Sequence, residues 1–163
     1  KPLLSDMKLG RGLVADDGAN VLMTRGLIAS NHEAAAMVSN EGTMVSLVQV
    51  VVRDTRRLPC AENSDCDSRG GSGVVLVDNA SLVLEDFAIT GNALAGLQII
   101  DATMIQAARG TVHSNIIGVN IQDSELNLSD AFEGVQNYDN ERDYDVMELP
   151  TPMPVELLEL ILP

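Results

Sequence analysis

The chain has no tryptophan, and its only aromatics are two phenylalanines and two tyrosines in 163 residues. All four, Phe87, Phe132, Tyr138 and Tyr144, lie in the second half, so stacking platforms for sugar rings or bases are scarce. Basic residues are few as well: ten Lys and Arg stand against 24 Asp and Glu, a net charge of -14. That balance argues against a nucleic-acid backbone or an anionic membrane surface as partner and favours cationic ligands. No long apolar run is present. The longest near-continuous one, Met44 to Val52, is interrupted by Ser46 and Gln49 and is too short to cross a bilayer, so no transmembrane segment is expected. No leader pattern precedes the first ordered-looking residues, and the abrupt start at Lys1 reads as a mature domain or a C-terminal part of a larger protein.

What the chain does have is repetition. An ungapped pattern of 20 residues begins at Gly12, Ala36, Gly73 and Gly96, and a looser fifth copy runs from Gly118 to Asn140. Each copy opens on a small residue, carries an acid at its sixth position, and ends on Asn31, Thr55, Asn92 or Asn115. A fixed period in the twenties marks a solenoid of stacked coils. Within the copies, the second and fourth positions read Leu13 and Ala15, Met37 and Ser39, Val74 and Leu76, Leu97 and Ile99, and Val119 and Ile121, the period of a strand with one face turned inward. A second strand follows at Val21 and Met23, Val45 and Leu47, Leu82 and Leu84, Ile105 and Ala107, with Leu126 and Leu128 one residue out of register. A third is marked by Ile28, Val52, Ile89 and Val112. The expectation is therefore an all-β solenoid of about five coils with three short strands per coil, wound as parallel sheets round an apolar interior. Leucine-rich or ankyrin-type units need a stretch of period 3.6 in each copy, and none is found.

The organisation is read as one β-helix domain over residues 1–145, interrupted by a loop at 56–72, and a proline-rich tail over 146–163 that is expected to cap it. The loop carries the two cysteines, Cys60 and Cys66. In an oxidising compartment they are expected to form a disulfide; reduced, the pair lacks the further ligands that zinc requires. The stretch Asp65 to Gly70 has the look of a calcium loop but lacks the downstream bidentate glutamate.

The small-residue openings, the S-x-[LV]-x-[LI] middles and the ladder Asn31, Asn92 and Asn115 resemble the right-handed parallel β-helix of the pectate-lyase-like superfamily. The segment from Leu128 to Pro152 is similar to the closing segment of secreted bacterial β-helix repeat proteins. The resemblance covers roughly residues 10 to 150 and implies a right-handed coil with the ladder asparagines inside a tight bend, bonded to backbone and to the next rung. Thr55 departs from the ladder and is expected to weaken it; Asn140 closes it in the fifth coil.

The same resemblance implies that an enzyme of this family would act on the outward face of the first strand, with carboxylates, often on calcium, and a basic residue. Here the outward positions read Val14, Val38, Val75, Gln98 and Asn120, then Asp16, Asn40, Val77, Ile100 and Gln122. One charge among ten residues cannot supply the two positioned carboxyl groups, or carboxylate and base, that acid–base chemistry on a sugar needs. Two histidines, His32 and His113, are three rungs apart, roughly 14 Å at about 4.8 Å per rung, and cannot share a metal.

Three further features bear on function. Val14, Val38, Val75, Val77 and Ile100 are expected to form an apolar stripe, a candidate interface for a protein partner or self-association unless the tail VELLELILP covers it or plugs the last coil. The acids Asp17, Glu41, Asp78, Asp101 and Asp123 are expected to stack along one edge, either as ordinary turn residues or as a weak site for calcium. The four arginines Arg53, Arg56, Arg57 and Arg69 gather at the loop, open to an anionic partner or, more simply, paired with the nearby Glu62, Asp65 and Asp67. Taken together, the expected function is a non-catalytic module, secreted, periplasmic or at the cell surface, with a structural or binding role. The alternative is a polysaccharide lyase or glycoside hydrolase whose active site is unrecognised in this chain or lies in sequence N-terminal to it. Glycan binding has no support in the sequence.

Overall fold

The computed structural model describes residues 10–58, 70–122 and 126–152. Cys60, Cys66, Arg69, Asp123 and the tail from residue 153 lie outside them. The chain is an all-β parallel solenoid of about five turns. One wall is a six-stranded sheet, sheet 1, built from β1 (Leu13–Ala15), β3 (Ala34–Val38), β5 (Ser72–Leu76), β8 (Ala95–Ile99), β11 (Ile117–Ile121) and β13 (Arg142–Asp145), paired in that order. The other is a seven-stranded sheet, sheet 2, of β2 (Asn20–Ala29), β4 (Met44–Arg53), β6 (Ser81–Glu85), β7 (Ala88–Thr90), β9 (Met104–Ala108), β10 (Thr111–His113) and β12 (Gln136–Tyr138). All their pairings are parallel, because each strand meets its counterpart one full coil later.

The inward columns anticipated from the alternation are the core. Val45, Leu47, Leu82, Leu84, Leu97, Ile99, Ile89 and Val112 have at most 1% of their surface exposed. Burying such a side chain contributes about 1.5–3 kcal/mol, and stacking like on like lets each coil supply the missing wall of the next.

The second and third strands are less distinct than the sequence suggests. In the first two coils they run together as the ten-residue strands β2 and β4; in the third and fourth they separate into β6 and β7, and β9 and β10. The bend lies at the same repeat position each time, at Arg25, Gln49, Asp86 and Arg109, all with φ between 51° and 56°. A left-handed residue in mid-strand turns the chain without an inserted loop. None of the four is glycine, so the bend leaves no compositional mark.

The second coil departs from the ungapped register. In sheet 1, Leu13 pairs with Ala36 and Ala36 with Val74, whereas in sheet 2 Val21 pairs with Val45 and Val45 with Leu82. This coil thus opens at Ala35 and holds one extra residue in its first bend. A slip of one residue exchanges the faces of a strand. Val38 is consequently a core residue, not part of an outward stripe, and Met37, expected to face inward, lies outside in its place.

The fifth coil also differs from expectation. Where a strand was expected at Leu126 and Leu128, the chain forms a single helical turn, α1 (Leu128–Ala131), with Asn127 as its cap and the Asn127 C=O accepting from Ala131 N–H. Ala131 and Phe132 are buried and, with Leu126 and Val135, pack on the last rung of the interior. The interior is therefore closed at this end by residues 126–135.

Candidate functional site

The outward face of sheet 1 is the place where the fold could present a site. Its columns read Val14, Met37, Val75, Gln98 and Asn120, and beside them Val77, Ile100 and Gln122. Although they point away from the interior, Met37 (3%), Val75 (0%), Val77 (1%), Gln98 (1%) and Asn120 (0%) are buried, and Val14 at 37% is not.

Over the fourth and fifth coils the cover is the chain itself. After β13, residues 146–152 cross the face as a strap. Asn120 Nδ2 donates to the Met147 carbonyl at 2.9 Å, and Gln98 Nε2 donates to the Pro150 carbonyl at 3.3 Å. Gln122 Nε2 in turn donates to Asn120 Oδ1 at 2.8 Å, and Ser72 Oγ donates to Gln98 Oε1 at 3.0 Å, so both amides are held at each end. Leu149 packs on Ala95 and Ile117. Proline carries no N–H, so a segment containing Pro150 and Pro152 offers carbonyls and needs donors opposite; the two amides are those donors. The readable signal was a pair of amides in otherwise apolar columns, followed by a proline-rich stretch.

The acid edge is a row of exposed turns. Asp17, Asp78 and Asp101 have φ of 51°, 54° and 47°, the left-handed conformation that aspartate tolerates. The extra residue of the second coil puts Asn40 (φ 71°) in that row instead of Glu41, and Asn40 Nδ2 donates to Asp17 Oδ1 at 3.1 Å. Among the described residues, no three His, Cys, Asp or Glu side chains come together in a group able to hold a metal ion.

The ladder stands at the bend after the third strand. Each member follows a left-handed residue: Ser30, Asp54, Gly91, Ser114 and Asp139 precede Asn31, Thr55, Asn92, Asn115 and Asn140. Asn115 Oδ1 accepts from both the backbone N–H and Nδ2 of Asn92, and Asn140 Oδ1 accepts in the same two ways from Asn115, all at 3.0 Å. Asn92 Oδ1 accepts from Thr55 N–H at 3.1 Å. There the row stops: Asn31 Nδ2 and Thr55 Oγ1 are buried without a hydrogen-bond partner. The asparagines also explain the opening glycines. A Cβ on Gly12, Gly73, Gly96 or Gly118 would lie 2.8–3.0 Å from Nδ2 of Asn31, Asn92, Asn115 or Asn140.

Elsewhere the chemistry is sparse. Arg11 and Glu33 form a buried pair, Nε to Oε2 at 2.7 Å, at the corner where the loop leaves the coil. The Glu33 carbonyl accepts from Gly71 and Ser72 N–H, and Arg57 bridges to Gly70, so the neck of the loop is anchored on the second coil. Arg53 pairs with Asp54 on the surface. Arg109 is paired with Asp86 and Glu85, which raise its already high pKa. His113 stacks on Tyr138, ring centroids 5.0 Å apart, on the outer face of sheet 2. A shallow cavity of about 260 Å³ opens between Leu13, Met23, Ile28 and Asn31 at the first coil. No protein-family model, curated protein or solved structure matches the chain.

Proposed function

We propose that this chain is a non-catalytic, extracellular or cell-surface β-helix module of the pectate-lyase-like kind, a rigid element with a structural or binding role. The observation that carries the reading is the covered outer face of sheet 1. An enzyme of that kind would work there, and here Gln98 and Asn120 spend their amides on the chain's own carbonyls beneath residues 146–152. Over the fourth and fifth coils a polysaccharide has no access to that face, and Gln98, Ile100, Asn120 and Gln122 there include no carboxylate.

With that face occupied, a partner has the outer face of sheet 2, where Leu22 (70%), Leu27 (57%), Val51 and Tyr138 stand exposed. The loop cysteines Cys60 and Cys66 complete the reading as a disulfide suited to an oxidising compartment. The test is capture with the intact protein from its native source, with Leu22→Asp and Leu27→Asp as the comparison, alongside assays for new unsaturated or reducing ends on a panel of polysaccharides. A partner lost in the double variant, with no cleavage, is the expected result. Cleavage of any polysaccharide would overturn the non-catalytic reading.

A further inference from the structure

Two stretches of the chain have the form Asn-X-Ser/Thr with X other than proline, Asn79-Ala80-Ser81 and Asn127-Leu128-Ser129, and the fold treats them in opposite ways. Asn79 stands in the first bend of the third coil, between β5 and β6. Asp78 and Asn79 are both exposed and both left-handed, with φ of 54° and 61°, a conformation that aspartate and asparagine tolerate in tight turns. Backbone bonds hold the turn. Ala80 N–H donates to the Val77 carbonyl at 3.2 Å and Asn79 N–H to the Asp101 carbonyl at 2.6 Å, while the Asn79 carbonyl accepts from Thr103 Oγ1 at 2.6 Å. The side chains take no part: neither the Asn79 amide nor the Ser81 hydroxyl is hydrogen-bonded to any of the described residues. Asn127 is different. Its Nδ2 donates to Asp130 Oδ2 at 2.7 Å as the cap of α1, and Ser129 lies within that helical turn. Asn40, in the corresponding bend of the second coil, donates Nδ2 to Asp17 and is followed by Glu41 and Gly42, without a hydroxyl two residues on.

We propose that Asn79 is an acceptor for an N-linked oligosaccharide, attached as the chain passes through a secretory pathway. In the transfer, Asn79 Nδ2 attacks C1 of an oligosaccharide carried on a lipid diphosphate. The N–C1 bond forms as the C1–O bond breaks, the diphosphate leaves with the bonding electrons, and the nitrogen gives up a proton. Both groups the motif requires are unspent, and the turn is held by bonds that involve neither of them. An exposed corner also gives a bulky, solubilising group room that a strand or a packed face does not. Leu27 and Val51 lie beyond the mid-strand bends at Arg25 and Gln49, so a glycan on the first bend leaves that part of the partner face open. The inference rests on the extracellular reading, but it concerns what the chain carries rather than what it binds or cleaves.

The experiment is secretion of the full chain from a eukaryotic host that glycosylates its exported proteins. Peptide N-glycosidase in heavy-oxygen water then turns each glycosylated asparagine into a labelled aspartate, which mass spectrometry maps. Label at Asn79 is expected, both in the host material and in protein from the native source. Ser81→Ala leaves Asn79 and its turn in place and should lose that label, whereas Ser81→Thr should keep it. An exported chain with Asn79 unlabelled in either source, or with label confined to Asn127, would overturn the proposal, as would full labelling of Asn79 in Ser81→Ala. An unlabelled chain that still captures its partner defeats this inference alone; cleavage of a polysaccharide by a labelled chain defeats the functional reading alone.

Discussion

Asn115 receives two hydrogen bonds from Asn92 on one oxygen, from the backbone N–H and from the side-chain amide, each at 3.0 Å. The pair is buried, so neither donor has water to turn to. Asn115→Ala is expected to leave both donors unsatisfied and to destabilise the chain by about 3 kcal/mol or more. Urea unfolding with an unchanged m-value checks it; a loss within about 0.5 kcal/mol would mean the ladder contributes little.

The second coil has Thr55 at the ladder position and, once its register is corrected, Ala35 where the other coils open on glycine. The shorter side chain and the added methyl are complementary. Thr55→Asn alone is expected to overpack the bend and cost about 1–3 kcal/mol. Joined with Ala35→Gly, it should give Asn31 Nδ2 the acceptor it lacks, and the double variant should match or exceed the parent in stability. A double-mutant cycle with no coupling between the two sites would refute this.

Gly110 leaves room for Phe87, whose Cε1 lies 2.2 Å from where a Cβ would stand. Gly110→Ala is expected to lower the thermal midpoint, by the equivalent of about 1–3 kcal/mol. Phe87→Leu in the same chain should restore part of it. Thermal unfolding of the three variants decides the matter.

Asn120→Ala should loosen the strap without opening the interior, since it removes the donor to Met147 and the acceptor of Gln122. The expected signature is faster amide exchange over residues 146–152 while β4 and β6 keep their protection. Uniformly faster exchange would show that the strap and the coils unfold together.

The root of the strap is expected to weaken in acid. The Asp145 carboxyl is held below the usual carboxylate range by Arg142 and by the Met147 N–H. Its folded pKa is depressed, so the stabilisation is complete above the ordinary carboxylate pKa and is lost as pH falls through the lower folded value. Asp145→Asn should remove that part of the acid dependence. A carboxyl NMR titration of Asp145 at or above the ordinary aspartate value would contradict it.

The repeat, the all-β class, the parallel stacking and the inward columns were legible in the residues alone, because a solenoid writes each structural constraint once per coil. The closing asparagines were legible for the same reason, since a buried amide that bonds its own bend and the next rung needs the same residue type each time. Local chemistry determined these. What only the tertiary structure decided were features that occur once or leave no compositional trace. The left-handed bend at Arg25, Gln49, Asp86 and Arg109 uses four positions without a glycine. The extra residue in the second coil became visible only through pairing with both neighbours, and it moved Val38 into the core and Glu41 out of the acid row. Finally, outward Gln98 and Asn120 are buried because a segment far along the chain returns over them. Periodicity reports which way a side chain points relative to its own strand; whether that direction ends in water depends on where the rest of the chain lies.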